Sequence, residues 1–223
     1  MTRAGKGKHY CAGNQDLAVA LNRTADSNQG RAMGGSDTID AEVAAGSALS
    51  AVLTNYPKVL IAAVHGASIG WGCTQLSNFD LIYAHQSAFF QTPFLPLGIV
   101  PEGGSSYNFP KVMGKPRANA LLLAGDRLSA QEAYVGGLIT AVIDAPSPEE
   151  FQKKVLEKAK MIGTYSPEAL HMTKALTQDA LDDLDSRRKA GERERRDILI
   201  RFSREETKAS MATFGKKDTK SKI

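Results

Sequence analysis

The sequence predicts an α/β protein, a layered core followed by a helical C-terminal region, and three observations carry the prediction. Val59-Leu60-Ile61-Ala62-Ala63-Val64 is an apolar run of strand length, suited to a strand buried on both faces. Such runs alternate with helical signals through the first two thirds of the chain, the pattern of α/β layers. After that only helix starts remain, Ser147-Pro148-Glu149-Glu150, Ser166-Pro167-Glu168 and Ser203-Arg204-Glu205-Glu206. The expected division is a core at 1–145 and a helical region at 146–223, in a chain of 223 residues with 42% hydrophobic and 23% charged content.

Residues 1–10 are polar, and Cys11-Ala12-Gly13-Asn14 reads as a turn, with Asp16 placed to cap a following helix. Asn, Ser, Gly and Asp dominate 22–37, the composition of a loop. A helix is expected over 40–56, with Val43, Ala44, Leu49, Val52 and Leu53 on its buried face and Pro57 after its end. His65-Gly66 ends the strand at 59–64, and Gly70-Trp71-Gly72 leads into a helix over 73–79. The first N–H groups of that helix lack intrahelical partners and gather at a glycine-flanked turn, which can hold an oxyanion. Strands are expected at 80–84 and 88–92, and the loop after Gly98 carries one carboxylate, Glu102, directly before Gly103-Gly104. A helix over 116–123 closes at Gly125; Ser129-Ala130-Gln131-Glu132 has capping-box spacing, Gly136-Gly137 ends that helix, and 138–143 is a strand.

Composition narrows the classes of function. No apolar run approaches the ~20 residues that span a bilayer, and no signal-peptide core follows Arg3, Lys6 and Lys8. Cys11 and Cys73 lack metal or redox spacing and read as buried thiols in a reducing compartment. Between residues 186 and 223 there are thirteen Lys and Arg against six Asp and Glu, a net of +7 that outweighs the −3 of the rest and gives the chain its +4. That segment reads as a solvated helix face, because Glu192, Glu194, Glu205 and Glu206 interleave with the bases. Nucleic acid is disfavoured as a partner, since no groove-reading motif and no base-stacking aromatics accompany the charge.

Cys11-Ala12-Gly13-Asn14, Val64-His65-Gly66, Gly70-Trp71-Gly72, Asp80-Leu81-Ile82-Tyr83-Ala84, Pro101-Glu102-Gly103-Gly104 and Leu123-Ala124-Gly125, in that order and spacing, resemble the crotonase (enoyl-CoA hydratase/isomerase) superfamily over nearly the whole chain. Gln91-Thr92-Pro93-Phe94 and the run from Pro101 through Phe109-Pro110-Lys111 are most similar to the peroxisomal Δ3,Δ2-enoyl-CoA isomerases. The resemblance implies a ββα spiral core with a C-terminal trimerisation region, a homotrimer or hexamer, and an acyl-CoA thioester as substrate with neither cofactor nor metal. It implies Glu102 as the catalytic base, the backbone N–H groups of Asn14 and Trp71 as oxyanion hole, and substrate contacts at Gly13, Gly70, Phe94 and Gly103. A carboxylate in this apolar loop is expected to have a pKa raised by desolvation.

Two departures from the family pattern matter. Where its hydratases carry two glutamates this chain has Thr74 and Phe94, which disfavours hydration and fits isomerisation by a single base. The family also places two strands, a helix and a further strand before the Cys-Ala-Gly-Asn motif, which here begins at residue 11, so the chain is read as N-terminally truncated. Ser221-Lys222-Ile223 resembles the import signal Ser-Lys-Leu, behind Lys216, Lys217 and Lys220, and implies a peroxisomal import receptor as partner and a basic tail near the CoA phosphates. Three functions stay open: an isomerase of peroxisomal fatty-acid β-oxidation, a related enzyme of a fungal secondary-metabolite or siderophore pathway, and an inactive truncated homologue.

Overall fold

Strand β2 (Ile61–Val64) lies inside the main sheet of the computed structural model, which describes residues 2–4, 9–11 and 36–214. All four of its residues are buried, and they point alternately into two cores. Ala62 and Val64 join Leu76, Ile82, Ala84, Phe90, Phe94 and Phe109 on one side, whereas Ile61 and Ala63 face Tyr83, Phe151 and Val155 on the other. A strand loaded on both faces has no polar side to alternate with, hence the unbroken apolar run. β2 pairs in parallel with β1 (Thr2–Ala4) and β4 (Leu81–His85), and β7 (Ala141–Ile143) extends the sheet beyond β4.

A second sheet holds β3 (Ala67–Ile69), β5 (Phe89–Gln91) and β6 (Arg127–Ser129), parallel across the first pair and antiparallel across the second. β1, β3 and β6 are absent from the sequence-based expectation, which reads residues 1–10 only as polar, because three residues are too few to display a period of two. Cys11 forms a bridge to Ser68 of β3, donating its N–H to Ala67 O at 3.0 Å and accepting from Ile69 N–H at 2.9 Å.

Helix α1 (Ser36–Thr54) keeps part of its expected face. Val43, Ala44 and Leu53 are part-buried, with Val43 packed against the main core, whereas Leu49 and Val52 are 40% and 59% exposed; Gly46, Ser47 and Ser50 share the part-buried side. Gly46 faces the Trp71 indole, which a Cβ there would meet at 3.8 Å, an ordinary contact distance. The helix expected at 73–79 is one α-turn, α2 (Trp71–Thr74), followed by a 3-10 turn at Gln75–Asn78.

α3 (Ser105–Met113) follows the Glu102 loop, and α4 (Lys115–Asn119) runs into a π-turn at Ala120–Ala124 that Gly125 ends. The capping box of α5 (Ala130–Val135) is present as expected: Glu132 N–H donates to Ser129 Oγ at 3.2 Å and Ser129 N–H to Glu132 Oε2 at 2.7 Å. Ser147 and Ser166 likewise cap α6 (Pro148–Ile162) and α7 (Pro167–Leu181). Ser203 does not cap the last helix: it closes α8 (Leu184–Phe202), donating its hydroxyl to Ile200 O, and α9 (Glu205–Thr213) starts after Arg204.

α8 returns Ile198 and Phe202 to the main core. Lys174 of α7 clamps the start of β4 by donating to Asp80 Oδ2 at 2.8 Å and to Lys58 O at 3.0 Å. Among the described residues no helix is long and apolar enough to cross a membrane. Cys73 is fully buried, and burial pushes its thiol up to about 12.

The tightest point of the fold is Gly72, where a Cβ would overlap Cys11 Cβ and lie 2.8 Å from its Sγ. Gly72→Ala is expected to cost about 1–3 kcal/mol. Adding Cys11→Gly, which removes the side chain being struck, is expected to return most of the loss in chemical denaturation.

Candidate active site

Three turns converge on Glu102. β5 ends at Gln91, whose carbonyl accepts Gly70 N–H at 2.9 Å and so ties the Gly70 turn to the strand that leads into the Glu102 loop. The loop is braced at Gly98, whose carbonyl accepts Arg201 Nε–H at 2.7 Å and the Thr207 hydroxyl at 2.8 Å. Beyond Glu102 the chain turns through Gly103 with φ 66°, and a Cβ there would sit 2.6 Å from Thr74 Oγ1 and 3.3 Å from the Trp71 ring. Glycine meets both demands, the left-handed backbone and the close approach. The backbone of Glu102 is locked in turn by Ser105, whose N–H and hydroxyl reach the Glu102 carbonyl at 3.1 and 2.7 Å.

With its main chain fixed, the Glu102 side chain points toward the Gly70 turn: a Cβ on Gly70 would be 3.9 Å from Glu102 Oε1. Glu102 is partly buried, and its carboxylate receives no hydrogen bond among the described residues. Burial, and secondly the charge of Glu194, push its pKa up to about 7. The carboxyl is therefore close to half ionised at neutral pH, the condition in which one group can both take and return a proton.

Opposite it stands Trp71, first residue of α2. Cys73 and Thr74 donate their N–H groups to Gly70 O at 2.9 and 3.0 Å, whereas the Trp71 N–H has no acceptor among the described residues. Because α2 is a single turn, its dipole is small, and an anion here would be held by the unspent N–H itself. The indole is wedged between α1 at Gly46 and the turn at Gly103.

Of the expected site residues, Glu102, Gly70, Trp71 and Gly103 are brought together. Phe94 is sealed in the core at 1% exposure and backs the loop from beneath, presenting no open surface. Thr74 is fully buried and packs its hydroxyl against Gly103. Gly13 and Asn14 lie outside the described residues, as do Ser221, Lys222 and Ile223; Cys11, two residues before Gly13, is bonded along β3 as that strand runs toward Gly70.

The residue that sequence reasoning missed is Glu194. Expected on a solvated face, it is 6% exposed and accepts Gly104 N–H at 2.7 Å through Oε2 and Ser106 N–H at 2.8 Å through Oε1. The available signal was its place on α8: Ala190, Glu194, Ile198 and Phe202 repeat every four residues along one buried stripe, with the charge set among apolar neighbours.

The raised pKa makes a stability prediction. Folding moves the Glu102 carboxyl from about 4.5 to about 7, so the folded protein is penalised for the charge as pH rises across that window and is not penalised below it. The penalty at pH 8 is on the order of 3 kcal/mol. Glu102→Gln, which cannot ionise, is expected to be more stable than the parent at pH 8 by up to that amount and equal to it at pH 4, measured by denaturant unfolding at both values.

Comparisons with known proteins give the family and the fold of the chain. The enoyl-CoA hydratase/isomerase family matches residues 4–221. Enoyl-CoA delta isomerase 2 of Homo sapiens is 42% identical over 120 residues, 54% of this chain and 30% of that protein. The peroxisomal enoyl-CoA delta isomerase 3 of Mus musculus is 39% identical over 123 residues, 55% of this chain and 38% of that protein. The chain thus spans about a third of the length of these curated relatives. Among solved structures, an enoyl-CoA hydratase/isomerase from Pseudoalteromonas atlantica T6c superposes with a TM-score of 0.77 at 26% identity, covering 96% of this chain and 77% of that one.

Proposed function

The chain belongs to the enoyl-CoA hydratase/isomerase family, an enzyme family acting on acyl-CoA, and within it we propose that this chain moves a double bond from the 3 to the 2 position of an acyl-CoA with Glu102 as its single base. One observation carries the reading: a partly buried carboxylate, pKa about 7, that receives no hydrogen bond among the described residues and is set against a turn whose Trp71 N–H meets no acceptor among them.

In the proposed reaction Glu102 takes a proton from C2 of the 3-enoyl thioester and delivers it to C4. Between the two transfers the thioester oxygen carries the negative charge of a dienolate. The Trp71 N–H and that of Asn14 accept that charge, and each such donor is worth roughly 3 kcal/mol in the transition state. Hydration needs a second group that activates or delivers water. Thr74 is buried and cannot act as a carboxylate, and Glu194 has both oxygens committed to backbone N–H groups, so among the described residues Glu102 is the acid placed to move a proton at this turn. Two mammalian relatives are named enoyl-CoA delta isomerases, which supports isomerisation as the reaction type. The reading extends to import into peroxisomes through Ser221-Lys222-Ile223, in keeping with the mouse relative's name.

The test is formation of conjugated enoyl-CoA from a 3-enoyl-CoA. Glu102→Gln is expected to lower kcat by about 10²–10⁴-fold while acyl-CoA binding is retained, and the parent's kcat/KM to rise with pH through about 7 as Glu102 ionises. Hydration of a 2-enoyl-CoA exceeding isomerisation in the same preparation would overturn the assignment. For location, a fluorescent-protein fusion is expected to enter peroxisomes and to disperse when the last three residues are removed.

A further inference from the structure

Helix α8 reaches the Glu102 loop through one side chain. Gly104 is the N-cap of α3 and Ser106 its second residue, and both N–H groups belong to the set that a helix cannot satisfy internally. Glu194 takes both, across sequence separations of 90 and 88 residues. Ser105 N–H, between them, returns to the Glu102 carbonyl. The turn from Glu102 to Gly104 is therefore pinned at one end to itself and at the other to Glu194, with Gly103 in between.

We propose that Glu194 is a positioning residue for the reaction, the side chain that fixes the Glu102–Gly104 turn and so sets where the base stands. The proposal rests on the reading of Glu102 as the base. Glu194 does not itself meet substrate, because it is 6% exposed and both oxygens are occupied. Its charge has a second effect, adding to burial in raising Glu102.

Among the described side chains, the following charges on the elements packed against α8 are engaged or in solvent. On α3, Lys111 binds Asp183 at 2.8 Å and Tyr107 at 3.1 Å. On α9, Lys208 binds Glu205 at 2.7 Å, and Glu206 meets Arg201 at 3.3 Å. Asp40 on α1 is exposed, as are Lys189, Arg193 and Arg195 on α8, where Arg187 binds Asp183, Arg188 pairs with Glu192, and Arg196 with Asp197.

Two variants separate position from charge. Glu194→Gln removes the charge and sets an amide donor against one N–H; Glu194→Asp keeps the charge but is one methylene too short to span both. The first readout needs no activity: titration of carboxyl-labelled glutamate by ¹³C NMR, the Glu102 signal being the one missing from Glu102→Gln. Its midpoint is expected to fall toward the ordinary carboxylate range in Glu194→Gln and to stay raised in Glu194→Asp. In the isomerase assay both variants are expected to lose roughly 10- to 100-fold in kcat with KM within about twofold, as a displaced base requires, and the acidic limb of kcat/KM is expected to move with the NMR midpoint in Glu194→Gln alone.

An unmoved midpoint in Glu194→Gln, with a loss of rate equal at every pH and matched by the fraction unfolded, would leave Glu194 a purely structural residue and overturn the proposal. Should Glu194→Gln not fold, parental kcat in Glu194→Asp overturns it equally. A midpoint that moves in Glu194→Gln while the parent shows no turnover of 3-enoyl-CoA supports the tie between the two side chains and retires the isomerase reading instead.

Discussion

A carboxylate drawn partly out of water with no donor to replace it is unfavourable to hold, and the structure around Glu102 is arranged to hold it. The backbone is fixed by Ser105, the turn by Gly103 with its left-handed φ, and the following helix by Glu194. Among the described residues no partner is supplied to the carboxyl oxygens themselves. Had a lysine or a pair of N–H groups been directed at them, the pKa would fall and a proton would seldom be taken up near neutrality. The two neighbouring glutamates show the contrast. Glu194 is held by two backbone N–H groups at a helix N-terminus and serves as an anchor; Glu102 receives no such donor among the described residues, and burial raises its pKa to about 7.

The other half of the site is the turn at Trp71. What the proposed chemistry uses there is a main-chain N–H, so the side chain is released for a different task, and the indole spends itself on packing between Gly46 and Gly103. This couples α1 to the turn that faces Glu102.

Much of this was legible in the chain. The two-sided strand followed from an apolar run that never alternates, the capping serines from their spacing to glutamate or proline, and Glu102 from its isolation as the single acid of an apolar loop next to a glycine pair. What escaped shares a physical origin. β3 and β6 are three residues long and owe their existence to partners rather than to their own pattern. Leu49 and Val52 of α1 lie outside the part-buried side that Val43, Ala44 and Leu53 share, because apolar spacing along a helix does not report which part of its face the neighbouring elements reach. Glu194 was read as solvated because local sequence reports neighbours within a few turns, and its partners lie about ninety residues away. Ser203 was read as a cap because its spacing to Glu206 fits one, but the carbonyl of Ile200 claims its hydroxyl.

Gly98 receives Arg201 and Thr207, and the turn at Gly104 receives Glu194, so the last elements of the described chain complete a loop made a hundred residues earlier. On the ribosome, the strands and the Glu102 loop emerge well before α8 and α9. Contacts of such separation are the ones whose closure entropy is met last in folding. A nascent chain halted before α8 and α9 would possess Glu102, the glycine turn and the Trp71 amide but lack the braces at Gly98 and Gly104, so the geometry of the Glu102 loop would be completed only after these two helices have emerged rather than accumulated along the chain.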